Sequence, residues 1–139
     1  MRLTRKVCYG IRALHYIAGQ SAGKYCSVDE IGRAQEIPCR FLAKMVQDLV
    51  RAGLLASRRG QDGGVRLARP ACEITILDVM CALEGPMAVS ECLGPHPTCA
   101  WIETCRVREV WKEMQTMIQS YLETTSLEAT EQVVHEEST

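Results

Sequence analysis

Two helix-forming segments separated by a tight turn constrain the fold more than any other feature of this chain. Ser27 can accept a hydrogen bond from the amide of Glu30 while the Glu30 side chain reaches back, so a short helix is predicted to begin there and to end near Gln35. Pro38 suits the first turn of a second helix, which Gly53 is expected to end. The predicted buried stripe of the second helix comprises Phe41, Leu42, Met45, Val46, Leu49 and Val50. Together these segments form a helix-turn-helix.

A Gly-rich turn between two short extended runs follows this pair of helices. Residues 54–59 and 65–68 are the extended runs, and residues 60–64 form the turn. This pattern predicts a β-hairpin, and a hairpin after a helix-turn-helix is a wing. Ahead of both, a first helix from about Thr4 to Gly19 is predicted by apolar residues at helical spacing, namely Val7, Ile11, Leu14 and Ala18.

Two further helices are predicted in the second half of the chain. Thr75 and Asp78 form a capping box that begins a helix ending at Gly85, and its buried stripe is Ile76, Val79, Met80 and Leu83. After an irregular stretch at residues 86–100, a long helix is predicted from about Trp101 to Glu123. Its apolar face comprises Val107, Val110, Trp111, Met114, Met117, Ile118, Tyr121 and Leu122.

The long helix exceeds what so small a domain can cover. Its apolar face is therefore expected to pack on the same helix of a second chain, with packing inside one chain as the alternative. The tail from Ser126 is acidic and polar, and it is expected to hold a short helix and then to fray.

The net charge of −1 conceals a strong polarity along the chain. Residues 1–69 carry 13 Lys and Arg against 5 Asp and Glu, whereas residues 70–139 carry 3 against 12. Such asymmetry indicates that the first half meets a polyanion. The second helix of a helix-turn-helix enters the major groove of DNA by its N-terminal end, and wing cations contact phosphates or the minor groove. The candidate DNA-binding residues are Cys39, Arg40, Ala43, Lys44, Arg58, Arg59 and Arg66.

Other classes of protein fit the sequence poorly. No run of apolar residues is long enough to span a membrane, and Arg12 and His15 interrupt the first apolar stretch, so a core helix is favoured over a signal peptide. A cytoplasmic location with reduced thiols is expected. No catalytic set or phosphate loop is evident, and His15 and His96 lack an evident partner, so neither an enzyme nor a small-molecule substrate is expected.

Three of the eight cysteines stand apart from the rest. Cys92, Cys99 and Cys105 have the spacing Cys-x6-Cys-x5-Cys in and beside a loop rich in Pro and Gly. Three thiolates suit a soft metal ion or an iron–sulfur cluster. The close cysteine pairs of zinc sites are absent, and three unrelated buried cysteines are the alternative.

The remaining cysteines receive weaker assignments. Cys72 and Cys81 lie in or next to apolar stretches and are expected to be buried. Cys26 is placed in a turn without a role. Cys39 begins the predicted recognition helix, where the helix dipole can lower a thiol pKa and permit redox chemistry.

The combined pattern resembles the IscR/NsrR/RirA family of bacterial regulators, the Rrf-two superfamily, over about residues 1–125. The matching segments are Met1-Arg2-Leu3-Thr4, Ile37-Pro38-x-x-Phe41-Leu42, Leu49-x-x-Ala52-Gly53-Leu54, Ser57-x-Arg59-Gly60-x-x-Gly63-Gly64-x-x-Leu67-Ala68-Arg69-Pro70, Ile74-Thr75-Ile76-Leu77-Asp78-Val79, Glu84-Gly85 and the three cysteines. The resemblance implies a homodimer with swapped long helices. It also implies an iron–sulfur cluster (2Fe–2S or 4Fe–4S) on Cys92, Cys99 and Cys105, with the cluster near the wing and the partner's first helix.

The sequence departs from the family at the fourth ligand. One branch has a His three residues after the third Cys, where this chain has Arg108. Another branch uses a carboxylate at a position that matches Cys8, so the partner subunit's Cys8 is a candidate, with a core cysteine as the alternative. His96 and an iron site open to a small molecule are further candidates. Ala43 replaces a Glu that tunes operator choice in the cluster-assembly branch.

The fold class expected is therefore mainly α with a small β-hairpin wing. A winged helix-turn-helix domain is assigned to residues 1–85, a cluster-binding loop to 86–106, a dimerisation helix to 101–125 and an acidic tail to 126–139. The function expected is a sequence-specific regulator, a repressor of transcription, that binds a double-stranded DNA operator and is switched by the cluster through iron, nitric oxide or redox change. A cluster-free thiol and disulfide sensor on the same fold is the alternative.

Overall fold

The computed structural model describes residues 3–136, with side chains to residue 131. It confirms a mainly helical chain with one two-stranded hairpin. The elements are α1 (Arg5–Ala18), α2 (Val28–Gln35), α3 (Cys39–Arg51), β1 (Leu55–Arg58), β2 (Gly64–Leu67), α4 (Ile76–Glu84), α5 (Arg108–Thr124) and α6 (Leu127–Glu136), with single 3-10 turns at Ala71–Glu73 and Glu91–Leu93.

Helices α1 to α4 and the hairpin share one apolar core. Burial of aliphatic side chains there is the main force that holds the domain together. α1 and α4 cross closely at Gly10, where an added Cβ would lie 2.5 Å from Cδ1 of Leu83. The capping box of Thr75 and Asp78 is present with both hydrogen bonds at 3.0 Å. The side chains with the least exposure include Leu14, Ile31, Leu42, Leu49, Leu54, Ile74 and Val79.

The helix-turn-helix forms much as predicted. The Ser27 hydroxyl accepts from the amide of Glu30, but the Glu30 carboxylate pairs with Lys24 at 3.2 Å rather than completing a reciprocal cap. Glu36 ends α2 in the left-handed region at φ 53°, and this sharp reversal lets Pro38 begin α3 directly afterwards.

The predicted stripe of α3 is wrong at one position. Leu42, Met45, Val46 and Leu49 are buried, whereas Phe41 is 62% exposed. Successive helical residues are separated by about 100° around the axis. Phe41 therefore lies beside the buried arc and lines an open groove against α1.

The long helix begins later than predicted, at Arg108 instead of Trp101. Residues 101–106 form turns, in which the amides of Thr104 and Cys105 both bond the carbonyl of Trp101. No residue of α5 is buried within the chain. Its exposed large apolar side chains include Val110 at 55%, Met117 at 73% and Tyr121 at 70%.

The acidic tail holds the predicted short helix, α6, and the start of this helix is docked on the domain. Leu127 is fully buried, and its amide bonds the carbonyl of Ile74 at 2.7 Å. His15 has a partner after all, because its Nε2 lies 3.1 Å from the Leu127 carbonyl oxygen and 2.9 Å from Oγ1 of Thr130. The predicted fraying at residues 137–139 falls outside the described residues.

Candidate nucleic-acid interface and cysteine loop

The outer face of α3 carries all four side chains that the sequence assigned to the recognition helix. Cys39, Arg40, Ala43 and Lys44 are all exposed. The Cys39 Sγ donates to Oδ1 of Asp29 at 3.6 Å, which joins the first turn of α3 to α2. The face thus combines two cations with two small side chains that permit close approach to another surface.

A basic groove extends this face from α3 onto α1. Arg5 and Tyr9 of α1 face Arg40, Phe41 and Lys44 across a cavity of about 680 Å³. The ion pairs within residues 3–131 leave Arg40 and Lys44 without an acidic partner. The place of α1 in this surface was not predicted, and only the basic character of residues 2–6 pointed to it.

The wing is anchored to the segment that precedes α2. β1 and β2 pair in antiparallel fashion, and Cys26 adds a third, single-residue bridge to Val65. Gly64 lies at φ 144°, and an added Cβ would lie 2.2 Å from the carbonyl oxygen of Cys26. Only glycine fits this approach, so the Gly-rich sequence fixes the wing against the helix-turn-helix.

The wing arginines differ in their surroundings. The guanidinium groups of Arg58 and Arg66 lie over the ring of Tyr25, at 4.2 and 4.9 Å from its centroid. Arg59 is exposed and has no acidic partner within residues 3–131. Tyr25 was not predicted to belong to this surface, because its place beside Arg66 follows from the pairing of Cys26 with Val65, which no local sequence pattern shows.

The three cysteines of the loop are free thiols, and their side chains do not form a cluster in the structure. Cys92 and Cys105 are half-buried and Cys99 is exposed. Three thiolates suit the donor chemistry of an iron–sulfur cluster. Within residues 3–131, however, no three Cys, His, Asp or Glu side chains lie close enough to hold a metal ion. Binding of a cluster therefore requires the loop to close around it.

The positions proposed for a fourth ligand are accessible. Cys8 on α1 and His96 in the loop are both exposed. Arg108 stands at the first residue of α5, and its Nε is buried without a hydrogen-bond partner among the described residues. An unused donor thus lies three residues after Cys105 in the sequence.

Two assignments among the other cysteines are wrong. Cys72 and Cys81 are exposed, because Cys72 lies in a surface 3-10 turn and Cys81 lies on the outer face of α4. Cys26, which received no role, is fully buried in the core. Burial raises the pKa of the Cys26 thiol to about 11, so this sulfur stays protonated and unreactive.

The described part of the chain contains no helix with the length and apolar character to cross a membrane.

A helix-turn-helix with an exposed basic helix and an arginine-bearing wing defines the class of winged helix-turn-helix transcription regulators. A family model, Rrf2, described as "Iron-dependent Transcriptional regulator", matches residues 3–132. The chain belongs to the Rrf2 family, whose regulators bind DNA.

Three relatives illustrate the similarity. Protein rrf2 of Nitratidesulfovibrio vulgaris is 34% identical over 127 residues, which cover 91% of this chain and 85% of that protein. Oxidized CymR of Staphylococcus aureus has 26% identity and a TM-score of 0.70, covering 94% of this chain and 95% of that one. IscR of T. potens shares the fold. It has 23% identity and a TM-score of 0.76, covering 100% of this chain and 92% of that one.

Proposed function

We propose that this protein is a homodimeric repressor whose binding to a double-stranded DNA operator is switched by an iron–sulfur cluster, 2Fe–2S or 4Fe–4S, on Cys92, Cys99 and Cys105. The observation that carries the proposal is the loop at residues 86–106. It holds three free thiols, has no fully buried side chain, and lies between the DNA-binding domain and α5. Such a segment has little reason to adopt one conformation unless a ligand organises it.

In this proposal the DNA contacts divide by role. Arg40 reads a guanine edge or binds a phosphate, and Lys44 binds a phosphate. Cys39 and Ala43 are small enough to let α3 enter the major groove. The wing adds Arg58, Arg59 and Arg66 at the phosphate backbone or the minor groove.

The second chain is proposed to cover α5. A row of exposed Val, Met and Tyr side chains on one helix is unfavourable in water. Packing against the same helix of a partner removes that surface, and it also places two winged domains in one molecule, as a two-fold operator requires.

The loop contacts α5, and α5 in turn contacts the DNA-binding domain. The amide of Val89 donates to Oε1 of Gln115 on α5 at 3.0 Å. The amide of Ile76, at the start of α4, donates to the carbonyl of Thr125 at the end of α5 at 2.9 Å. A change in the conformation of the loop is thereby passed to the angle between α5 and the domain, which is the two-state coupling that such a switch requires.

When bound, the cluster supplies a group that responds to iron supply, nitric oxide or oxidation. Cys92, Cys99 and Cys105 hold it as thiolates, and the partner subunit's Cys8 is the proposed fourth ligand. His96 is a second candidate, and an iron site left open to a small molecule is a third. The buried Nε of Arg108 is a donor suited to an anionic ligand set.

Anaerobic purification followed by absorption spectroscopy with iron and sulfide analysis tests the cluster. A brown protein with bound sulfide is expected, and Cys92→Ala, Cys99→Ala and Cys105→Ala should each lose the bands, whereas the matched variant Cys72→Ala keeps them. DNA affinity measured with and without the cluster should differ. A protein that stays colourless after reconstitution with iron and sulfide would refute cluster binding.

A second candidate function is thiol sensing without a cluster. The loop favours it because its three cysteines are free thiols and Cys99 is exposed, and so does the solved oxidized form of the similar CymR. It predicts a colourless protein in which an oxidant forms a reversible disulfide among the loop cysteines and alters DNA affinity. Peptide mapping under non-reducing conditions distinguishes this disulfide from cluster ligation.

A further inference from the structure

The ring of Tyr25 supports two arginines of the wing, an arrangement that the DNA contacts alone do not explain. Cζ of Arg58 and Cζ of Arg66 are 4.2 and 4.9 Å from the centroid of the ring. Both distances lie within the ~6 Å over which an aromatic face attracts a cation. Arg58 is held further by a hydrogen bond of 2.8 Å from its Nη2 to the carbonyl oxygen of Asp62.

Strand register explains why the ring and the guanidinium groups meet. Cys26 and Val65 exchange two backbone hydrogen bonds of 2.8 Å, so Tyr25 lies opposite Arg66 in antiparallel register. Side chains alternate between the two faces of a strand. Because Cys26 and Val65 are buried on the core side, Tyr25 and Arg66 share the outer side. The register of the hairpin places Arg58 diagonally from Arg66 on that same side.

We propose that Tyr25 is a positioning residue of the DNA interface, which holds Arg58 and Arg66 over its ring before DNA binds. The proposal rests on the role of the wing proposed above. Two guanidinium groups at one place repel each other, and the negative face of the ring offsets that repulsion. An arginine that is already ordered loses less rotamer freedom when it contacts a phosphate. Tyr25 thus raises DNA affinity without touching DNA.

Affinity and its salt dependence test the proposal. The probe is a fluorescein-labelled duplex selected from a random-sequence library by the wild-type protein. Tyr25→Leu is expected to weaken binding by about two- to fivefold for each arginine released, with an unchanged salt slope, because both cations still reach phosphates. The matched control Tyr25→Phe keeps the ring and should bind as the wild type does. Arg58→Ala should lower the slope by about one.

Nuclear magnetic resonance of the free protein tests the stacking without DNA. The side-chain Nε–H signals of Arg58 and Arg66 should carry ring-current shifts that Tyr25→Leu removes and Tyr25→Phe retains. Absent shifts would overturn the stacking. Normal or tighter binding by Tyr25→Leu would overturn the positioning role, as would equal weakening by Tyr25→Phe. If Arg58→Ala and Arg66→Ala leave affinity and slope unchanged, it is the proposed DNA contact of the wing that fails.

Discussion

The basic side chains of the interface differ in how firmly the protein holds them. Arg58 and Arg66 stack on the ring of Tyr25, whereas Arg40, Lys44 and Arg59 stack on no ring. None of the five has an acidic partner within residues 3–131. A cation that breaks no internal ion pair on binding contributes its whole counterion release to affinity. Removal of any one of these cations should therefore lower the salt dependence of binding by about the same amount.

Replacement of Arg59 by alanine should weaken DNA binding and lower the slope of log affinity against log salt by about one, since one phosphate contact is lost. Titrations by fluorescence anisotropy at several salt concentrations measure this. Lys112→Ala is the matched control, because Lys112 lies on α5 and pairs with Glu109 at 2.8 Å. An unchanged slope for Arg59→Ala would remove Arg59 from the interface.

Neighbouring positions of α3 should differ sharply in their effect on stability. Leu42 is fully buried and Phe41 is 62% exposed. Leu42→Ala should lower the free energy of unfolding by about 2–5 kcal/mol, and Phe41→Ala by about 0.5 kcal/mol or less. Urea denaturation followed by circular dichroism measures both. Similar losses for the two variants would mean that Phe41 is covered in solution.

The burial of a single side chain could be predicted where it follows from the spacing of apolar residues along one helix. The α4 stripe of Ile76, Val79, Met80 and Leu83 is buried as predicted. Phe41 and Cys81 were not predictable, because apolar character alone does not show where the neighbouring helix stops covering a surface. The partner of His15 could not be predicted from the sequence either, because it lies 112 residues further along the chain.

Among the secondary-structure elements, the wing depends most on one close contact between two backbone segments. Gly64 is where β2 meets the segment before α2, and the added Cβ of any other residue would lie 2.2 Å from a carbonyl oxygen. The wing cannot keep both its hairpin register and its bridge to Cys26 if a side chain is present there.

Gly64→Ala should therefore open the bridge between Cys26 and Val65. The amide of Val65, which bonds Cys26, should exchange with solvent much faster, and DNA affinity should fall. Gly53→Ala is the control: Gly53 also has positive φ, at 79°, but nothing lies within 4 Å of its added Cβ, so only about 1 kcal/mol of backbone strain is expected. Slow exchange of Val65 in Gly64→Ala would contradict the close approach.

The order and type of the elements were predictable because local signals mark them. The cap at Thr75, Pro38 before α3 and the glycines of the wing act over a few residues. The start of α5 was placed too early, since residues 101–107 have apolar residues at helical spacing but form turns that the spacing does not reveal. The docking of α6 depends on Ile74 and α1, which are distant in sequence.

At the scale of the whole molecule, α5 has a large apolar surface that the described part of the chain leaves exposed. α5 presents Val110, Met114, Met117 and Tyr121, with exposures from 38% to 73%. We propose that a second copy of the chain packs on this surface. A substitution that prevents this packing should weaken assembly and DNA binding together, because one winged domain reads only half of a two-fold operator.

Met117→Asp should dissociate the proposed dimer, since an unpaired carboxylate in an apolar interface is strongly unfavourable. Sedimentation equilibrium should give the mass of a dimer for the wild type and of a monomer for the variant, with DNA affinity reduced. Gln119→Asp changes an exposed polar residue of the same helix and should leave the dimer intact. A monomeric wild-type protein would refute the assembly.

The backbone bridge between Cys26 and Val65 joins the segment before α2 to strand β2, so the whole helix-turn-helix lies between the two bridged residues. Recognition helix and wing are consequently tied into one body, whose internal geometry a distant signal has little means to alter. In the proposed dimer the remaining variables are the spacing and the relative angle of the two bodies. The signal would then decide which separation of operator half-sites is bound, relative to the ~34 Å repeat of B-DNA, while the bases recognised within each half-site stay the same.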